Sequence, residues 1–160
     1  PHLAGEMLKQ RAGIDMLHVP YKGTAPGLTD IIAGNVSLGF VTAISAIPSI
    51  QAGKLRAIAV AGNERLPQIP DVPTMAEAGL PDFEVSSWNG LFAPAGTPPE
   101  VVKLLNAELV KILAKPELRE RFAAMAAQPV GSTPEEFGRY VRAETEKWAR
   151  IVKAANISLD

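Results

Sequence analysis

HVPYKGTAPGL, residues His18 to Leu28, decides how this chain is read. An apolar stretch stops at Pro20, Tyr21 to Thr24 turns through Gly23, and the residue types predict a helix starting at Pro26. A strand, a glycine-containing loop and a helix N-terminus in that order leave several backbone N–H groups unpaired at one point. The helix dipole adds roughly half a positive charge there, and Lys22 adds a whole one. This is chemistry for holding an anion.

Working outward, Leu3, Met7 and Leu8 are spaced as on a helix that Gly13 ends. Met16 to Val19 reads as a short buried strand. Leu28, Ile31 and Ile32 mark one face of the helix after Pro26, and Gly34 stops it. Val36 to Val41 reads as a second strand. Ala43 to Ala52 reads as a helix with Pro48 near its start and Gly53 beyond its end. LRAIAVA, Leu55 to Ala61, is the strongest strand pattern. Alternating strands and helices predict an α/β fold with right-handed crossovers and a mostly parallel sheet.

The character changes at Gly62. Asn63 to Pro73 holds three prolines and reads as an irregular crossing segment. Thr74 and Glu77 form a capping-box pattern for a short helix ended by Gly79, and Glu84 to Ala93 reads as extended. Thr97-Pro98-Pro99-Glu100 signals a helix start, with Thr97 as cap and Pro98 at the first helical position. Val101, Leu105, Leu109 and Ile112 follow as its apolar stripe. Pro116 restarts a helix, and Thr133-Pro134-Glu135-Glu136 starts another running to about residue 155. Phe137, Val141, Trp148, Ile151 and Val152 share one side of that last helix, as core packing does.

Of 160 residues, 47% are apolar and 21% charged, the composition of a globular protein. The net charge of −1 argues against a nucleic-acid partner, which needs a basic face. Residues 1–62 carry five Lys/Arg and three Asp/Glu, the remainder eleven and fourteen, so the excess of positive charge lies with the loop. With no cysteine, a disulfide framework, a thiolate nucleophile and Cys-ligated zinc are excluded. No apolar run reaches the ~18 residues of a membrane-crossing helix. No signal-peptide pattern is present, and a start at Pro1 without Met leaves a mature product, a trimmed product or a fragment as readings.

HVPYKG, IQAGKLRAIAV (Ile50 to Val60), IPDVPTMAEAGLP (Ile69 to Pro81) and SWNGLFAPAGTP (Ser87 to Pro98) follow one another in that order. Together they resemble the Bug family, TctC-like periplasmic substrate-binding proteins of tripartite tricarboxylate transporters, over essentially the whole chain. The resemblance implies two α/β lobes of the periplasmic-binding-protein type, joined by two crossing strands, with a small carboxylate held between them largely by backbone N–H groups. It implies that residues 1–58 form most of the second lobe, and that residues 59–160 supply a crossing strand and the C-terminal part of the first. The chain begins where the family is about halfway through. A truncated chain of this kind is expected to cover its exposed edges by associating with another copy.

Under that resemblance the ligand-binding candidates are Tyr21, Lys22, Gly23, Thr24, Ala25 and Pro26, with Gly23, Thr24 and Ala25 giving backbone N–H groups. Tyr21 lines the cleft, and the Thr24 hydroxyl either donates to the ligand or caps the helix. Lys22 reads equally as a solvated cation. Thr42 and Ser45 follow a strand at the carboxyl end where α/β sheets bind ligands. They either contact the distal end of the substrate or cap a helix, and this loop is expected to set substrate choice. His2 opens a helix, as a ligand contact or a cap-region residue, and Asn89 is placed to reach the cleft. Trp88 reads as core or hinge packing, and His18, inside an apolar stretch, as a satisfied core histidine. Two histidines without a carboxylate at ligand spacing make no metal site, and no cofactor motif is read.

The expected function is extracytoplasmic capture of a small mono- or dicarboxylate for delivery to membrane permease subunits, without catalysis. A sensory carboxylate-binding subunit is the alternative. A hydrolase is a further one, weakened by the lack of a G-x-S-x-G elbow.

Overall fold

The computed structural model describes residues 1–157. The helices are α1 (His2–Ala12), α2 (Thr24–Ala33), α3 (Ala43–Gln51), α4 (Pro99–Leu113), α5 (Pro116–Ala124) and α6 (Pro134–Ala154). The residues form two compact units, residues 1–87 together with the chain resuming at Ala155, and Trp88–Ala154.

In the first unit α1, α2 and α3 alternate with extended segments, and α2 packs on α3. Ala4, Met7, Ala46, Met75 and Phe83 are its buried apolar residues. The Phe83 ring stacks on Phe40 at 6.0 Å. Helix α2 begins at Thr24, two residues before the expected Pro26, because Gly23 takes the cap position. Pro48 is not near the start of α3 but deep inside it, which removes one hydrogen bond from the helix ladder.

The three expected strands do not form ladders among the described residues. Their one bridge is parallel, between Val60 and Thr74. The Val60 N–H donates to the Pro73 carbonyl at 2.8 Å and the Met75 N–H to the Val60 carbonyl at 2.9 Å. On the other side, the Val85 N–H donates to the Ala61 carbonyl at 2.8 Å. Residues 60–61 thus have neighbours on both edges, and the rest of LRAIAVA has none among the described residues. Met16 to Val19 is extended but not buried: Leu17 is 91% exposed, and Val19 and His18 are exposed as well. A strand is stabilised through the hydrogen bonds of its neighbours, so a good strand sequence without a neighbour stays an extended segment.

The capping box at Thr74 is present, with the Thr74 N–H on Glu77 Oε2 at 2.7 Å and the Glu77 N–H on Thr74 Oγ1 at 3.2 Å. It closes a single turn and not the expected helix, since Gly79 adopts φ 96° two residues later. Arg65 braces this turn, donating from Nε to both Glu77 oxygens at 3.2 and 2.9 Å and from a terminal nitrogen to the Pro70 carbonyl at 3.1 Å.

In the second unit the helix-start signals hold with one correction. Thr97 does not cap α4; Pro98 takes the cap position and Pro99 the first turn, while the Thr97 hydroxyl donates to the Pro94 carbonyl at 2.8 Å. The covered stripe of α4 is also rotated from expectation. Val101, Leu105 and Ile112 are exposed, while Val102, Asn106, Leu109 and Leu113 are partly covered. Asn106 fixes the register by donating to the Ser132 carbonyl at 2.9 Å. Helix α6 starts on a complete capping box, Thr133 N–H to Glu136 Oε2 at 2.9 Å and Glu136 N–H to Thr133 Oγ1 at 3.2 Å. Trp88 packs edge-on against Phe137 and Tyr140 at 5.7 and 5.6 Å, and 38% of it remains exposed.

Candidate functional site

Gly23 sits at φ 103° and ψ 175°, a conformation that a side chain would strain. Its N–H donates back to the Tyr21 carbonyl at 2.9 Å, closing a three-residue turn. One of the three N–H groups expected to face an anion therefore already has an acceptor. Those of Thr24 and Ala25, the first two residues of α2, have none among the described residues. The Thr24 hydroxyl does not cap the helix either. Pro26 carries no N–H, so the anion-holding capacity of this end rests on Thr24, Ala25 and the helix dipole. Lys22 is exposed and without an ion pair among the described residues.

Tyr21 is fixed at both ends. Its hydroxyl donates to Asp30 Oδ2 at 2.7 Å. Its ring lies over Gly27, where a Cβ would sit 3.3 Å from Tyr21 Cδ2. Asp30 Oδ1 accepts from Asn35 Nδ2 at 3.2 Å. The bonds from Tyr21 and Asn35 hold the Asp30 carboxyl below its ordinary value, and the bond to Asp30 raises the Tyr21 phenol. Asp30, Asn35 and Gly27 are not among the residues singled out from the sequence. The signal that finds two of them is spacing: residues 27 and 30 are three apart within α2 and so share one face, one turn apart.

Thr42 occupies the cap position of α3 without capping a backbone N–H. Its hydroxyl lies 2.9 Å from the Ser45 hydroxyl. Ser45 and Ala46 N–H donate to the Thr42 carbonyl at 3.0 and 3.1 Å. A second helix N-terminus thus carries two hydroxyls and the N–H groups of Ala43 and Ile44, which have no acceptor among the described residues.

His2 and His18 stack face to face, ring centroids 3.7 Å apart and planes within 5°. His18 is therefore an exposed ring covered on one face, not a core histidine. Loss of water on that face, then the nearby His2, lowers its pKa, against a smaller opposing effect of Glu6. His2 Nε2 is 3.9 Å from Glu6 Oε1. No group of three metal-ligating side chains occurs among the described residues. Asn89 is exposed in the second unit. Among the described residues, no hydrogen bond or ring contact joins the loop, the Thr42–Ser45 pair and the histidine stack to one another. A hollow of about 540 Å³ lies elsewhere, lined by Arg56, Ala57, Ile58, Asp71, Val72 and Pro73. It opens where the Val60–Thr74 bridge ends, as a splayed pair of extended segments does, and contains none of the candidate residues.

Residues 1–157 match the model of the tripartite tricarboxylate transporter family receptor, TctC. The chain belongs to this family. A protein encoded in the tcbD–tcbE intergenic region of Pseudomonas sp. (strain P51) is 42% identical over 152 residues, covering 94% of this chain and 45% of that protein. A relative from the clcB–clcD intergenic region of Pseudomonas knackmussii is 39% identical over 153 residues, 94% of this chain and 90% of its own length. Among solved structures, R. palustris Rpa4515 with adipate superposes with a TM-score of 0.83 at 36% identity, over 98% of this chain and 52% of that one. MatC from Rhodopseudomonas palustris with bound malate gives 0.71 at 33% identity, over 94% and 52%. The periplasmic binding protein BugD gives 0.75 at 35% identity, over 98% and 53%. The chain thus spans about half the length of these solved chains, and its fold is the α/β fold of periplasmic solute-binding proteins.

Proposed function

We infer that this chain contributes to a periplasmic solute-binding protein that captures a small mono- or dicarboxylate and hands it to the membrane subunits of a tripartite tricarboxylate transporter. The carrying observation is membership of the receptor family over residues 1–157, with relatives of the same fold that hold adipate and malate. Residues 1–58 are assigned to the second lobe. Residues 59–160 are assigned to a crossing strand and the C-terminal part of the first.

The N–H groups of Thr24 and Ala25 at the start of α2 are the proposed carboxylate donors, in the loop Tyr21 to Pro26. Thr42 and Ser45 at the start of α3 and His2 complete the proposed contacts within the first unit. Each hydrogen bond to a carboxylate contributes on the order of 1.5–3 kcal/mol, and closure of two lobes around the ligand sequesters it. The ligand is carried unchanged, so no catalytic group is assigned.

A panel of mono- and dicarboxylates, adipate and malate included, tests this by thermal shift and mass spectrometry on the complete gene product. At 100 times its dissociation constant a true ligand stabilises by about 2.7 kcal/mol, and it is recovered intact. No shift with any carboxylate, or turnover of one, overturns the reading.

A further inference from the structure

Asp30 ties three successive pieces of backbone together. Its Oδ2 accepts the Tyr21 hydroxyl at 2.7 Å, from the loop that precedes α2. Its Oδ1 accepts Asn35 Nδ2 at 3.2 Å, from the turn after α2. Its carbonyl takes the N–H groups of Asn35 and Val36 at 2.9 and 3.3 Å. The Tyr21 ring meanwhile lies against Gly27, the fourth residue of the helix, and the Tyr21 carbonyl holds the Gly23 N–H at 2.9 Å. Tyr21 is thus anchored through ring, hydroxyl and main chain, two residues before a glycine with wide conformational freedom.

We propose that the Tyr21–Asp30 hydrogen bond is a positioning clamp that pre-sets the turn into α2, so that the Thr24 and Ala25 N–H groups point together before a ligand arrives. The clamp rests on the carboxylate-binding reading above and deepens it. Tyr21 in this scheme acts from behind the loop and does not line the cleft. A glycine turn that samples several conformations binds only through the competent fraction, and apparent affinity falls in proportion to that fraction. Holding the turn from its helix side spares that loss without placing a charged side chain on the ligand.

The test is a double-mutant cycle in the complete gene product: Tyr21→Phe, Asp30→Ala and the pair, with adipate and malate as probes. Each single substitution is expected to weaken binding at 25 °C by about tenfold, as it would if the competent fraction fell to about one-tenth. The association rate should carry the loss, and the double variant should bind no more weakly than the weaker single. Independent, additive losses overturn the clamp, and so does a lowered melting temperature with unchanged affinity, the signature of a purely structural bond. Backbone ¹⁵N relaxation of the ligand-free protein separates the two readings. Order parameters at Gly23 and Thr24 are expected to drop in Tyr21→Phe; unchanged values overturn the clamp even if no carboxylate binds. A failure of the wild type to bind, with the drop observed, overturns the carboxylate reading and leaves the clamp.

Discussion

The same capping box occurs once in each compact unit, with nearly the same geometry and different outcomes. At Thr133 the reciprocal bonds with Glu136 open a helix of 21 residues. At Thr74 the equivalent bonds with Glu77 close one turn, which Arg65 then braces from outside. A cap satisfies orphan N–H groups, but it does not propagate a helix. Propagation depends on the residues downstream of the cap: a long amphipathic run in α6, and Gly79 with Pro81 after Thr74. The second unit is built of such locally encoded helices. The first rests on segments whose partners lie far along the chain, as Val60 with Thr74 and Ala61 with Val85 show.

The largest effect expected is at Gly90. A Cβ there would lie 2.0 Å from Phe137 Cζ, and the Phe137 ring is already flanked by Trp88 at 5.7 Å and Phe92 at 5.2 Å. Gly90→Ala should cost about 1–3 kcal/mol by overpacking, read from urea unfolding. A cost below a few tenths would mean that the aromatic cluster of the second unit yields easily.

The two boxes give the next contrast. Thr133→Ala should cost about 1 kcal/mol and lower the helical circular dichroism signal, since the first turn of α6 loses its cap. Thr74→Ala should leave helicity unchanged. Equal losses of helicity would erase the distinction between the two units.

A smaller effect separates the two glutamates in acid. Arg65 and then the Thr74 N–H hold the Glu77 carboxyl below the ordinary glutamate value. Thr133 does the same for Glu136. Since both folded values lie below those of the unfolded chain, each contribution is present above the unfolded value and is lost as pH falls through the folded one. Carboxyl ¹³C titration of Arg65→Ala should raise the Glu77 value and leave Glu136 where it was. A joint shift would mean that the two units are electrostatically coupled.

The smallest effect is at His18. Its pKa is lowered by loss of water and by His2, so its contribution is present above the unfolded value and lost as pH falls through the folded one. In His2→Ala, imidazole proton shifts should report a His18 pKa moved upward. An unmoved value would break the stacked pair.

Much of this molecule is written locally. The glycines after α1 and α2, the proline starts of α4 and α5 and the Thr133 box are short-range signals that act within one helical turn, so sequence alone placed those elements. The glycine turn before α2 was legible for the same reason, because such a turn before a helix is a local pattern. Tertiary structure decided the rest. It showed that, among the described residues, LRAIAVA pairs only at Val60 and Ala61, that His18 is exposed against His2, and that the Gly23 N–H is already taken by Tyr21. It also supplied Asp30, whose hold on Tyr21 bridges nine positions of sequence. Periodicity reports which residues prefer company, but strand neighbours, ring stacks and clamps are chosen by the chain as a whole, where hydrogen-bond geometry and burial are settled together.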